Sequence, residues 1–419
     1  MTTSNTAGPD PSGRPGHDAT PPEREKLPRE IWFLVVASFV VAMGYGLVAP
    51  VLPTYARSFG VGVTGATVVV SAFALFRLLF APVGGGLVGR LGPRIVYVSG
   101  LVIVALSTGA SAFADSYWQL LTFRGLGGIG STMFTISAAS LVITLAPVRS
   151  RGRASALFGS GFLLGNVFGP VLGAGLSGLG LRAPFVIYGV ALLIAAAIVA
   201  VFVRPSRAER EAAKKRAVAE PAQPPMRVAE AWQNAAYRAS LVSGFVHGWA
   251  NLGVRMSIVP LFIVTTAAAG DWSPGVALAA YAIGTLVMLR WTGRAVDVRG
   301  RKPLLVGGLV ASAVTSLALG LSGHVAIVIA LSVLGGMAAA CIQPSQQAIL
   351  ADVVGRDRSG GQVVARSQMA MDTGTILGPI LSGLIVDNAG YSWAFALAGV
   401  MLCVGLVPWR TAPETLPRR

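Results

Sequence analysis

Apolar runs long enough to cross a bilayer recur along almost the whole chain, and this constrains the fold more than any single residue. Hydrocarbon about 30 Å thick needs about 20 helical residues. Such runs fall at 31–54, 64–88, 95–114, 117–145, 154–178 and 184–203. They return at 239–266, 275–296, 303–321, 325–353, 361–386 and 392–410. The count is six plus six, and runs 117–145 and 325–353 are overlong enough to suggest that each includes a cytoplasmic turn. By length, 419 residues suit two or three soluble domains, but 54% are hydrophobic and only 12% charged. Soluble proteins carry roughly 25% charged residues, so this chain has too little polar surface to coat a water-soluble body. Cys341 and Cys403 both lie inside apolar stretches and offer neither a disulfide framework nor a metal cluster.

Residues 1–30 are rich in Thr, Ser, Pro, Gly and charge. The first apolar run starts only at Ile31 and is long enough to span, so this segment reads as a disordered cytoplasmic tail and not a signal peptide. The expected organisation is a tail at 1–30, a first bundle at 31–203, a cytoplasmic linker at 204–238, a second bundle at 239–410 and a short cytoplasmic tail at 411–419. The linker holds EREAAKKRA (209–217), which has the i,i+4 spacing of a solvated charged helix. The net charge of +16 invites a nucleic-acid reading, but the basic residues are placed otherwise. They gather in the tails, in the linker and in the loops after the second, fourth, eighth and tenth runs. The opposite side holds only Arg57 and Arg182, while Arg77, Arg124, Arg255 and Arg290 lie within spans. Positive charge marks the cytoplasmic side. The expectation is a multi-pass protein of the cell inner (plasma) membrane with both termini cytoplasmic, in contact with the lipid bilayer and with no nucleic acid. Trp32, Trp118, Trp272, Trp291, Trp393 and Trp409, with Tyr117 and Tyr391, fall near proposed span ends, as an interfacial belt requires.

The two halves repeat each other. Gly85 and Gly92 recur 208 positions on as Gly293 and Gly300, and Gly127-Gly128 recurs at the same offset as Gly335-Gly336. Gly169-Pro170 returns as Gly378-Pro379, and Pro53 as Pro260. Six spans return the chain to its starting side, so the repeats are parallel. Such repeats place a substrate site between them near the midplane.

Four segments carry chemistry. GRAVDVRGRK (293–302) has Gly293 and Gly300, which let helix ends approach closely, and Asp297, Arg301 and Lys302, which can form a charged latch at the cytoplasmic face. GGLVGRLGPR (85–94) is its first-half copy. LTFRGLGGIG (121–130) puts Arg124 about 10 Å inside its span, where a guanidinium needs an acid, carbonyls or water. GNVFGPVLG (165–173) spaces Gly165, Gly169 and Gly173 by four, a smooth face for close helix contact, and Pro170 bends the helix. GYGLVAPVLP (44–53) has a counterpart in SLVSGFVHGWANLGVRMSIVPLF (240–262), which contains His247, Asn251 and Arg255.

Together these segments resemble the major facilitator superfamily over about 31–410, and most of all its twelve-span drug:proton antiporters. The resemblance implies an all-α integral membrane fold, with twelve transmembrane helices in two six-helix pseudo-repeat bundles around a central cavity. It implies that Gly293, Asp297, Gly300, Arg301 and Lys302, with Gly85, Arg90, Gly92 and Arg94, form cytoplasmic gate loops. The first copy departs from the pattern, with Gly89 at the usual acid position. Arg124 matches an intramembrane arginine linked to proton transfer, and Gly165, Gly169, Pro170 and Gly173 match the antiporter motif of span 5, at the interface of the halves. Spans 1, 4, 7 and 10 would line the cavity, making Met43, Tyr45, Phe134, Trp249, Asn251, Arg255 and Gln343 its candidate residues. The family also implies a monomer.

Asp372 stands apart as the only acid placed deep within a span, about 16 Å from the start of span 11. Low dielectric favours its neutral form unless a cation pairs with it, so it is a candidate to load and release a proton. The alternative is a permanent ion pair with Arg77, Arg124 or Arg255. The expected function is secondary active export of a small amphipathic drug or metabolite in exchange for protons. Sparse intramembrane acid favours neutral or weakly charged substrates over strongly cationic ones. A proton-coupled importer or facilitator is the alternative, and a non-transporting membrane sensor a more distant one. No HExxH, paired deep acids or Ser-His constellation points to an enzyme, and no Walker A loop points to ATP. No cofactor or metal is expected.

Overall fold

The computed structural model describes residues 27–147, 150–203, 226–266, 270, 272–355, 358 and 360–416. Most of the 1–30 tail, the 209–217 helix and the rest of 204–225, and residues 417–419 lie outside the described residues. Twelve described helices are long and apolar enough to cross a membrane. The first six spans are Arg29–Val48, Val63–Leu91, Pro93–Ala112, Tyr117–Leu145, Gly152–Gly175 and Ala183–Phe202. Spans 7 to 12 are Ala235–Thr265, Ser273–Val298, Arg301–Gly320, Val325–Val354, Gly361–Ala389 and Tyr391–Arg410. An even number of described crossings puts the start of span 1 and the end of span 12 on one face, called here the terminal face, opposite a distal face.

The overlong runs do not contain a turn. Spans 4 and 10 are unbroken helices of 29 and 30 residues. At about 1.5 Å per residue such a helix is about 44 Å long, enough to cross the headgroup layers as well. The run 31–54 does break: span 1 ends at Val48, and Leu52–Arg57 forms a separate short helix with proline in its first turn.

Local chemistry sets the starts. Ser116, Asn234 and His324 cap spans 4, 7 and 10 by accepting from the backbone N–H groups of Gln119, Ala236 and Ala326. Pro93, Pro184 and Pro274 occupy first turns, where a missing N–H costs nothing. Between spans 2 and 3 the chain turns at Gly92 (φ +83°), and between spans 8 and 9 at Gly300 (φ +100°). A side chain would be strained at either position, so the repeated loop needs glycine there. Gly85 and Gly293 differ from expectation: a β-carbon at either would meet nothing within 4 Å, so neither serves a close helix contact in this conformation.

Both halves pack by one scheme. Span 1 lies on span 5, span 2 on span 4, and span 3 on spans 4 and 6. Span 7 likewise lies on span 11, span 8 on span 10, and span 9 on spans 10 and 12. The glycine face of span 5 belongs to this packing. A β-carbon at Gly165 or Gly169 would collide with the carbonyl of Phe39 or Met43 in span 1. The glycine face therefore joins two helices of the same half, while span 5 itself also meets span 8 at the interface of the halves, as expected. The second half repeats the device with Gly374 and Gly378 of span 11 against Phe245 and Trp249 of span 7. There span 7 widens into a π-helical stretch, Gly248–Val254.

Trp32, Trp118, Trp272, Trp291 and Trp393 are exposed near span ends. Trp409 corrects the belt reading, being only 2% exposed. Its indole N–H donates to Ser243 Oγ at 2.6 Å and ties span 12 to span 7. An indole can be buried in this way when its N–H has a partner.

Candidate functional site

The two halves meet where span 2 packs on span 11 and span 5 on span 8. At the distal end the contact is polar and tight. The N–H groups of Val63 and Thr64, at the start of span 2, donate to the Asp387 carboxylate at 2.8 Å each, and the Thr64 hydroxyl donates at 2.6 Å. A carboxylate from one half thus caps a helix of the other, favoured by the positive end of the helix dipole. Further in, Ser71 Oγ donates to the Ile376 carbonyl at 2.9 Å. A β-carbon on Gly275 of span 8 would lie 2.7 Å from Ala174 of span 5. The halves are therefore in direct backbone contact there.

The seam ends at Asp372. Arg77 Nη2 meets its Oδ1 at 2.5 Å, and Gln368 Nε2 donates to the same oxygen at 3.1 Å. Of the three arginines considered as its partner, the fold selects Arg77, and the pair joins the two halves. Arg77 keeps 34% of its side chain exposed and Asp372 only 10%. On the terminal side of this pair, no hydrogen bond or ion pair crosses between the halves among the described residues. Burial changes at the same level: apart from Gly84, every buried residue of span 2 lies in 63–74.

Among the described residues, Arg124 reaches neither an acid nor a carbonyl. It is 5% exposed, its Nε has no hydrogen-bond partner, and its guanidinium lies 4.8 Å from the Phe73 ring centroid. Such a cation–π contact contributes about 0.5–2 kcal/mol, short of the several kcal/mol that desolvating the ion costs. Arg124 lines a recess between the halves with Tyr45, Val48, Ala49, Leu52, Val70 and Met256. Arg255 repeats the arrangement in the second half. It is 3% exposed, its guanidinium is 4.8 Å from the Tyr281 ring, and its Nε and Nη1 have no partner. Phe73 and Tyr281 are themselves 208 positions apart, a match that only the shared role of the rings makes meaningful. Gly335 provides the space, since a β-carbon there would lie 2.6 Å from the Arg255 guanidinium.

The other cavity candidates scatter. Tyr45 lines the recess, and Met43 of span 1 is half-buried beside the Gly169 contact. Phe134 does not face the cavity: it is buried against Tyr97 inside the first bundle, with ring centroids 5.0 Å apart. Trp249 is buried beside Phe245. Asn251 is fully buried with its Nδ2 3.2 Å from His247 Nδ1. Gln343 is exposed, whereas Gln346, which sequence reasoning missed, is buried and donates to the Ser240 carbonyl at 2.9 Å.

The two repeated loops are each held by their own half. Asp297 is exposed and its carboxylate has no partner among the described residues, while Arg301 pairs with Asp352 at 2.9 Å. The N–H groups of Arg301 and Lys302 donate to Glu414 at 3.1 and 3.0 Å, and Lys302 Nζ donates to the Ala412 carbonyl at 2.7 Å. The expected latch among Asp297, Arg301 and Lys302 is thus replaced by a clasp on the C-terminal segment. In the first copy Arg94 donates to the Ala200 carbonyl, and Arg90 is exposed. Asp387, Glu414 and Asp352 carried no sequence signal beyond being rare acids near span ends.

The chain is thus a body of two helical bundles with a paired acid and base across their seam, and comparisons with known proteins identify its family. The Major Facilitator Superfamily model matches residues 34–270 and 241–419. The quinolone resistance protein NorA of Staphylococcus aureus is 30% identical over 165 residues, 38% of this chain and 42% of NorA. The chain thus spans less than half the length of those curated relatives. The chromaffin granule amine transporter of Homo sapiens is 25% identical over 345 residues, 81% of this chain and 63% of that protein. A bacterial homologue of the human lysosomal transporter Spinster, inward-facing and unoccupied, has a TM-score of 0.75 at 16% identity, covering 92% of this chain and 96% of its own. A D-xylose–proton symporter has a TM-score of 0.73 at 16% identity, covering 92% and 98%. With two helical bundles, twelve spans and a family match along nearly the whole chain, this protein belongs to the Major Facilitator Superfamily and is a multi-pass membrane transporter, not an enzyme.

Proposed function

We propose that this transporter exports a small amphipathic drug or metabolite across the plasma membrane in exchange for protons, by alternating access, with both termini cytoplasmic. The observation that carries the reading is the Asp372–Arg77 pair, one charge from each half, at the level where the distal seam ends. Ionised Asp372 holds Arg77 and keeps the distal side shut, which stops the empty carrier from cycling. A proton on Asp372 removes one charge of the pair and frees the halves to part. Losing one partner of a fully buried pair costs about 3–5 kcal/mol. With Arg77 a third exposed the effect here is smaller, of order 2 kcal/mol, still enough to shift a two-state population about thirtyfold. Substrate has to release the same lock, and exchange follows when proton and substrate do so in turn. The partial likeness to a quinolone resistance protein and the span-5 glycine–proline motif support export over import.

The test uses inside-out membrane vesicles holding a respiration-driven pH gradient and a panel of amphipathic antibiotics and dyes. The expected result is compound-triggered loss of the gradient with wild type and none with Asp372→Asn. Equal loss in both would keep antiport and remove Asp372 as the proton carrier. No loss with any compound in wild type would overturn proton exchange.

A further inference from the structure

Two buried guanidinium groups lie in the membrane-spanning body without a counter-charge among the described residues. Asp372, the acid at mid-span, is committed to Arg77 and Gln368. Neither Arg124 nor Arg255 has a hydrogen bond or ion pair among the described residues, and both rest only on aromatic faces. A desolvated cation of this kind calls for an anion or ordered water. Arg124 borders a small recess of about 10 Å³, room for a single water. Its recess lies between the halves, with Tyr45 and Leu52 from the first and Met256 from the second. Tyr45 adds a hydroxyl that has no hydrogen-bond partner among the described residues. Tyr188, the other nearby phenol, is already spent on the Val41 carbonyl at 3.0 Å. The recess thus offers a fixed positive charge and a free hydroxyl donor, framed by Val48, Leu52 and Met256, and it contains no side-chain carboxylate.

We infer that this recess anchors an acidic group of the transported molecule, a carboxylate oxygen taking the water-sized space beside Arg124, so that the substrate class is an amphipathic weak acid or zwitterion. This rests on the exporter reading for its transport step, but not for binding. The planar guanidinium matches a carboxylate's two oxygens, and Tyr45 supplies a further donor. Arg255, unneutralised in the opposite half, adds positive potential that raises the local concentration of an anion. A cationic substrate would meet two uncompensated positive charges and no free acid.

The experiment measures equilibrium binding to the purified full chain in phosphatidylcholine nanodiscs with no ion gradient, so that failure of proton coupling cannot affect it. The probes are benzoate, 2-naphthoate and anthracene-9-carboxylate, each with its neutral amide and its aminomethyl counterpart. The expected result is that at least one acid binds at least tenfold more tightly than its amide and its amine. Arg124→Gln is expected to bring the acid-to-amide ratio to about one, Arg124→Lys to leave a reduced preference, and Tyr45→Phe to weaken the acid severalfold. The wild-type ranking needs no variant, so a poorly folding Arg124→Gln protein leaves the test intact. Amide or amine binding equal to or tighter than the acid, or no binding of any acid, would overturn the inference. So would an acid preference retained in a folded Arg124→Gln protein. Loss of acid binding when phosphatidylglycerol is added at constant ionic strength would also overturn it, by reassigning the recess to a lipid headgroup. Acid binding together with no proton exchange in vesicles would uphold this site and sink only the antiport reading.

Discussion

The distal seam between the halves and the terminal face of the molecule are held in opposite ways. At the distal end, contacts run from one half to the other: Asp387 on the start of span 2, Ser71 on the Ile376 carbonyl, and Gly275 against Ala174. At the terminal end, polar groups turn back into their own half: Arg301 to Asp352, Lys302 to Ala412, and Arg94 to Ala200. Among the described residues, the polar groups that cross between the halves run from the distal end to the Arg77–Asp372 pair, and those named at the terminal face are satisfied within their own half. One conformation is specified by where hydrogen bonds are spent as much as by where apolar surface is buried.

The strongest way to break this contrast is at the boundary between the two ends. Arg77→Gln and Asp372→Asn are each expected to reduce proton-driven exchange at least tenfold in vesicles. The double variant should recover thermal stability without recovering exchange, because it removes both charges together. A rise in exchange for the double variant would show that the pair is not the coupling element. Next in size, Gly275→Leu should wedge the distal seam, costing the closed arrangement about 2 kcal/mol. Spin labels across the distal ends of spans 5 and 8 would report it as a shift of the distance distribution toward longer values. Asp387→Ala removes a cap and should cost about 1 kcal/mol, a roughly fivefold gain in labelling of a cysteine placed at Thr67.

The terminal end answers to smaller changes. Burial pushes the Glu414 carboxyl up, but the N–H groups of Leu416, Arg301, Lys302 and Thr415 more than offset this and hold it below the ordinary carboxylate range. A depressed value means that the clasp contributes its full stabilisation above that ordinary range and loses it as pH falls through the lower folded value. Glu414→Gln should therefore speed hydrogen exchange at Arg301 and Lys302 near neutral pH, and the difference from wild type should vanish in strong acid. Gly293→Val has the smallest expected effect on this conformation, within about 0.5 kcal/mol, because its β-carbon meets nothing. Should the same variant slow transport, Gly293 would be needed only when the terminal end closes.

Particular residues show what could be read early. Apolar runs and the 208-residue repeat give spans and two bundles, because transfer into hydrocarbon acts on contiguous sequence. Gly92 and Gly300 are recognisable as a repeated pair, although the reason for glycine is backbone conformation at both and, at Gly300, also the closeness of the Glu414 carboxylate. Phe134 was misplaced because a helix's lining face depends on rotation within the bundle, which a motif does not state. Trp409 was misplaced because a tryptophan near a span end is equally at home in an interface or in a buried hydrogen bond.

The sequence by itself determined that this chain crosses a membrane twelve times as two related halves, with one acid set deep among apolar residues. Only the tertiary structure decided that Asp372 faces Arg77, that Asp387 caps a helix more than 300 positions away, and that Arg124 and Arg255 find rings instead of carboxylates. The physical reason is range. Hydropathy is a property of neighbouring residues and survives any packing, whereas a charge pair depends on which helix faces meet across the seam, and those faces are chosen by the whole bundle at once.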